Sequence, residues 1–406
     1  MIVGMNESNP KPEVLYKDDK KISIALMATF VTLTAQYFIL VFFDLSGLNV
    51  SSRIQLLSKG VVAMVFLYAL PSVLKRSRIK FFVIYMLTTI VLLFHYLIFE
   101  GNRPYITDMM IPIFTMSLPG FIYASCIRDF AVFKSTMKKA ANVVFFIGLL
   151  LTLLIFTGRA SIGSYSMAFS YYMLLPAIMF TDDFLDKFSF KMLAFDILSI
   201  IIILSLGSRG AILCIMVFTL LKFFRRNAKL SNVRLIGDLS LIVVALIMLI
   251  YLDQILVYLY GFIGKFGINS RTLRIFLSQG LSLSGRDTIY ESIVSEILKH
   301  PLFGIGIGGD RNVLGGAYAH NILIEIIANY GIPLGIVVIL FIFINILKAL
   351  LRKDPFDYSI AIIWLSLGFV HFMVSGSYIV DIRFWTFLSV ILNITRNNSQ
   401  IKNEAL

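Results

Sequence analysis

SLSGRDTIYESIVSEILKHPLFGIGIGGDRNVLGGAYAHNILIEIIANYGIPLG, residues 282–335, is the one polar island in a chain of 406 residues otherwise built from apolar runs. It holds two of the four histidines, His300 and His320, with a glycine run and Arg286 beside a helix start. Outside it, the chain reads as lipid-embedded scaffold. Of all residues 58% are hydrophobic and 15% charged, with a mean hydropathy of +0.87. Soluble domains carry about 25% charged residues, so this balance belongs to an all-α, polytopic membrane protein.

A net charge of +13 invites a nucleic-acid reading. The basic residues, however, sit in short clusters between apolar runs: Lys75, Arg76, Arg78 and Lys80; Lys134, Lys138 and Lys139; Lys222, Arg225, Arg226, Lys229 and Arg234; Lys348, Arg352 and Lys353. Such clusters set topology and meet anionic headgroups. They leave no continuous basic face for a duplex, so no nucleic-acid partner is expected. Cys126 and Cys214 both lie in apolar runs and read as small buried hydrophobes rather than a disulfide. The polar first 21 residues lead to an apolar run without a cleavage site, which reads as a first span rather than a signal peptide.

A hydrocarbon core of about 30 Å needs roughly 17 to 25 apolar residues per helix. Twelve runs qualify or come close: 22–43, 55–74, 79–99, 105–126, 140–157, 164–180, 192–206, 210–226, 235–261, 331–351, 357–375 and 380–395. An even count puts both termini on one side. With that side cytoplasmic, two thirds of the 36 Lys and Arg residues lie there, and half of the rest fall in one large outer loop. The expected organisation is a cytoplasmic tail over 1–21, nine spans over 22–262, an extracytoplasmic loop over 263–330, three spans over 331–395 and a cytoplasmic tail over 396–406. No internal repeat or separate soluble domain is visible.

Within the loop, Ser284-Gly285-Arg286-Asp287 reads as a capping box. Ile289, Ile293, Val294, Ile297 and Leu298 follow at helical spacing, and Pro301 ends the run. The pattern predicts an amphipathic helix over 285–299 whose first turn presents Arg286. A second helix is expected from His320 or Asn321, breaking at Gly331-Ile332-Pro333.

Four positions could carry chemistry. Arg209, in Ser208-Arg209-Gly210, stands at the start of a span, where a guanidinium adds to the positive helix end and suits a diphosphate. It reads equally as an arginine snorkelling to headgroups. Arg286 has the same two readings, anion binder or solvated first-turn residue. His320, in Ala319-His320-Asn321, could take a proton from an attacking hydroxyl, or be a polar residue satisfied at a helix start. Arg159 faces the same side and could join them. Arg103 and Arg383 face that side too and read as interfacial anchors, and His300 as a helix C-terminal residue. His95 and His371, within spans, read as structural. Gly304-Ile305-Gly306-Ile307-Gly308-Gly309 lacks a preceding strand and a following Gly-Lys-Ser/Thr, so tight turns explain it better than a nucleotide. The acidic residues show no ligand spacing with either loop histidine, and neither metal nor cofactor is expected.

Taken together, Ser284-Gly285-Arg286, His300-Pro301-Leu302-Phe303-Gly304-Ile305-Gly306, Ala319-His320-Asn321 and Gly331-Ile332-Pro333-Leu334-Gly335 resemble the O-antigen ligase/polymerase family; Ser208-Arg209-Gly210 resembles its arginine motif. Where that family often has Trp shortly after the Ser-Gly-Arg arginine, this chain has Ile289-Tyr290. The resemblance implies a GT-C-like fold and a metal-independent, inverting glycosyltransferase of the bacterial plasma membrane, with its site on the outer face. It implies an undecaprenyl-diphosphate-linked oligosaccharide as substrate, membrane lipids as surroundings and a chain-length regulator as protein partner. By resemblance Arg209 and Arg286 hold the diphosphate and His320 is the catalytic histidine; Arg159 and Asn321 are expected beside them as further binders of diphosphate or glycan. Three activities fit in descending order: polymerase of lipid-linked repeats, ligase onto lipid A core, and flippase. A flippase would be expected to show repeat halves and mid-span charges.

Overall fold

The computed structural model describes residues 12–45, 49–157, 167–187, 189–206, 208–225, 252–265 and 286–404, and no strand occurs among them. The helices are α1 (Pro12–Phe42), α2 (Asn49–Ile98), α3 (Arg103–Pro112), α4 (Leu118–Ser125), α5 (Phe130–Phe156), α6 (Met167–Tyr172), α7 (Leu174–Asp186), α8 (Phe190–Leu206) and α9 (Arg209–Phe224). They continue with α10 (Leu252–Gly264), α11 (Arg286–Lys299), α12 (Gly309–Val313), α13 (Ile322–Leu350), α14 (Pro355–Leu365), α15 (His371–Val374) and α16 (Ile382–Glu404). A 3₁₀ turn at Glu100–Asn102 and π-helical turns at Ile113–Ser117 and Ser366–Val370 join neighbouring helices.

Among the described residues six helical stretches are long and apolar enough to cross a membrane: Glu13–Phe42, Ser51–Ile98, Glu100–Ser125, Phe130–Leu154, Ile322–Leu350 and Pro355–Val374. The protein is therefore an all-α membrane protein, but six such stretches do not reproduce the expected twelve spans. Part of the difference is local geometry. The 48 residues of Ser51–Ile98 hold two of the expected runs, and the helix breaks between them at Ser77 (φ −154°, ψ 45°). The expected runs 164–180, 192–206 and 210–226 fall on the short helices α6 to α9, and 235–261 lies mostly outside the described residues.

Polar groups gather at the two ends of the helices. At one end Arg76 pairs with Asp19 and donates to the carbonyls of Cys126 (2.7 Å) and Leu15 (3.0 Å). There too Lys134 and Lys222 share Asp182, at 2.6 and 2.7 Å. Between the ends the core is aromatic and aliphatic; fully buried Trp364 stacks on Phe133 with ring centres 5.7 Å apart. Cys126 and Cys214 are buried and free, as their apolar setting suggests. The π-helical turn at Ser366–Val370 lets α14 approach α16 closely: a Cβ on Gly368 would come within 2.5 Å of the Arg383 carbonyl. That turn delivers α15, and with it His371, to the other polar end.

Candidate active site

The second polar end is organised by the glycine segment. Gly304, Gly306 and Gly308 all take positive φ (69°, 78° and 79°), a region open to glycine at little cost. The segment docks on the break in α13. Ile305 N–H donates to the Ala328 carbonyl at 2.7 Å, and Ile332 N–H to the Pro301 carbonyl at 2.8 Å. Gly331 (φ 78°, ψ 173°) makes the break, where the sequence places it, and a side chain there would collide with the Leu302 backbone. On the α2 side the Asn102 amide donates to the Ile305 carbonyl (2.8 Å), while His95 Nδ1 accepts from Ile307 N–H (3.1 Å). The glycines thus serve close backbone packing, and His95 is structural.

Downstream, a buried charge cluster fixes the chain before α13. Asp310 and Glu325 are fully buried and Arg311 is 7% exposed. Arg311 donates to Asp310 (3.0 Å) and to Ser377 Oγ (2.8 Å), and lies 3.7 Å from Glu325. Ser377 Oγ donates to one Glu325 oxygen, and Tyr378 N–H to the other at 3.2 Å. The second Asp310 oxygen accepts from Ala319 N–H at 3.1 Å, so the cluster holds the residue next to His320.

His320 stands at φ 55°, a left-handed conformation uncommon for a residue with a Cβ. Asn321 follows as the N-cap of α13; its side-chain oxygen accepts from Leu323 N–H (2.9 Å) and Ile324 N–H (3.3 Å), and its amide donates to the Met373 carbonyl (3.3 Å). The Tyr318 ring covers the imidazole, with centres 4.1 Å apart. His320 Nδ1 is buried without a hydrogen-bond partner among the described residues. Burial, then the Arg286 charge, pushes its pKa down from 6.5 to about 4. At neutral pH the ring is uncharged and can accept a proton.

Arg286 is the first residue of α11, whose Ile293 and Ile297 cluster with Ala328 of α13 and with Ala319 just before it. Ser284 and Gly285 of the expected capping box lie outside the described residues. The Arg286 guanidinium interacts electrostatically with His320 and with Tyr171 of α6. No ion pair joins it to a carboxylate among the described residues. Tyr171 packs edge-on against His371 (4.0 Å) and its hydroxyl lies against Gly210, where a Cβ would strike it. Arg209 begins α9, and Ser208 Oγ caps that helix by accepting from Ala211 N–H at 3.3 Å. Tyr171 therefore lies against the α9 N-terminus, and the Arg286 charge acts on both Tyr171 and His320. Arg159 lies outside the described residues.

Two features depart from the sequence reading. Arg383, expected as an interfacial anchor, has a side chain only 17% exposed and grips Asp381 with Nε and Nη2. The Asp310–Arg311–Glu325 cluster was missed, although Glu325 four residues after Asn321 in an apolar run was a usable signal: a lone carboxylate there needs a partner. Elsewhere, a cavity of about 740 Å³ lies between Phe94, His95, Phe99, Phe303, Asn329 and Tyr330; neither His320 nor Arg286 lines it. No group of three or more His, Cys, Asp or Glu residues suited to a metal ion occurs among the described residues.

Fold and site thus define a multi-span helical membrane protein with cationic and aromatic groups gathered at one end of its helices. Residues 194–340 match the family model described as O-antigen ligase, so this segment of the chain is similar to that family. Arg209, Arg286, His320 and Asn321 fall inside the matched segment; Asp381 and Arg383 lie beyond it. Neither the curated proteins nor the solved structures searched yielded a match to this chain.

Proposed function

We propose that the protein polymerises undecaprenyl-diphosphate-linked oligosaccharide repeats on the outer face of the bacterial plasma membrane, by metal-independent, inverting glycosyl transfer. The observation that carries this reading is that the Arg286 charge acts both on a neutral His320 and on Tyr171, whose hydroxyl lies against the α9 N-terminus. Arg209 and Arg286 hold the diphosphate, with Arg159 and Asn321 beside them. As the bond from the anomeric carbon to phosphate oxygen breaks, the electron pair goes to the diphosphate, and the guanidiniums stabilise the charge developing there. The acceptor hydroxyl attacks from the opposite face, forms the new C–O bond and passes its proton to the His320 imidazole. A bound diphosphate offsets the Arg286 charge, so donor binding makes that imidazole more basic.

In this reading the chain crosses the membrane twelve times, with both termini cytoplasmic and 263–330 as the outer loop. A chain-length regulator is the protein partner. The ligase is the second reading, favoured by the description of the matching family. Incubating purified protein with its undecaprenyl-linked repeat alone separates the two. A ladder of products supports the polymerase, and product formed only after lipid A core is added supports the ligase. Glycan that moves between leaflets without bond formation would overturn both.

A further inference from the structure

Asp381 and Arg383 face the same end of the molecule as His320, from the far side of α15. Arg383 lies over the Phe372 ring (5.7 Å), Phe372 packs against His371 (4.6 Å), and His371 against Tyr171 (4.0 Å). Asn321, next to His320, holds the neighbouring Met373 carbonyl. The charges of Asp381 and Arg383 both reach Tyr318, the ring covering His320. A helix cap alone would need only the Arg383 N–H, which Asp381 Oδ1 accepts at 2.8 Å. Here the guanidinium folds back as well, with Nε 2.9 Å from the same oxygen. Both side chains keep part of their surface open, 17% for Arg383 and 22% for Asp381.

Two of the arginines whose side chains are described at this end, Arg286 and Arg383, differ in charge balance. Arg286 has no carboxylate partner among the described residues, and a guanidinium so placed suits a diphosphate. Arg383 is neutralised by Asp381. A neutral pair offers little to an anion, but its spare guanidinium N–H groups and carboxylate lone pairs match the donor and acceptor of sugar hydroxyls. We propose that Asp381 and Arg383 form the acceptor face of the site, hydrogen-bonding neutral hydroxyls of the incoming carbohydrate and setting which acceptor is used. This rests on the glycosyl-transfer reading above and adds a specificity-determining pair outside the matched family segment.

The test uses full-length protein in detergent and two probes. The first is undecaprenyl diphosphate, followed by binding; the second is the free repeat oligosaccharide as acceptor, followed by initial rates at saturating donor. Asp381→Asn and Arg383→Gln should raise KM for the acceptor by about tenfold, as expected for lost hydrogen bonds to charged groups. Arg383→Lys should recover part of this, and undecaprenyl diphosphate affinity should stay within about twofold of wild type for all three. Arg286→Ala should show the reverse pattern. An unchanged acceptor KM in the pair variants overturns the proposal, as does a loss of undecaprenyl diphosphate affinity matching that of Arg286→Ala. If Arg286→Ala binds undecaprenyl diphosphate normally, the diphosphate reading fails instead, and the acceptor KM still decides the role of the pair. Should Asp381→Asn not fold, Asp381→Glu carries the same readout.

Discussion

Beneath a covering tyrosine ring, His320 combines a left-handed backbone with an Nδ1 that is buried without a partner among the described residues, and both of these cost stability. Its charge state gives two expectations. Because the folded state lowers its pKa from 6.5 to about 4, the unfolded chain takes up a proton first on acidification. The contribution of this residue to stability is therefore complete above pH 6.5 and is lost as pH falls towards 4. The melting temperature of wild type should drop over that window more than that of His320→Gln. Activity in kcat/KM should stay flat through the mildly acidic range, and an acid limb near 6.5 would contradict the burial described for the free enzyme. Arg286 is placed on the diphosphate by the proposed function, and its loss should act on chemistry. Arg286→Ala should lower transfer by roughly a hundredfold or more, the scale of removing one donor from a developing anion. Lysine there should rescue only partly, since it lacks the planar fork. Product assays with purified protein check both. The sequence singled out these residue types, but not the neutral state of His320, which follows from burial and the nearby arginine.

Among the elements, α13 carries the most structure-dependent design. Its N-cap, its break at Gly331 and its buried Glu325 together set where His320 stands. Gly331→Ala should destabilise the protein by about 2 kcal/mol or more, since its backbone region is essentially closed to other residues and the Leu302 carbonyl leaves no space. A thermal melt in detergent reads this as a drop of several degrees. Arg311→Met removes the one guanidinium between two buried carboxylates and should cost roughly 3 to 5 kcal/mol. Capping and breaker signals made the end of α11, the start of α13 and its break legible within a residue or two. The charge cluster was not, because Asp310, Arg311, Glu325 and Ser377 come from separate segments and meet only through packing.

At the scale of the whole molecule, the chain sorts its polar groups to opposite helix ends: Asp19, Arg76, Lys134, Asp182 and Lys222 at one, and His320 with its neighbours at the other. If the proposed orientation holds, a cysteine at exposed Ala317 should react with a membrane-impermeant maleimide in intact cells. One at exposed Lys353 should react only after lysis. Labelling at both positions in intact cells would refute the topology; native Cys126 and Cys214 are buried and should stay silent. Composition and run length by themselves determined an all-α membrane protein with one polar island, because a hydrocarbon solvent forces the backbone into helices and leaves a plain signature in hydropathy. Only the tertiary structure decided that Tyr171 of α6 lies against the α9 N-terminus, that α11 packs on α13, and that Arg383 turns to Asp381. Proximity among residues scores of positions apart arises from helix packing, which depends on the shapes of both partners at once, and no single run of sequence records it.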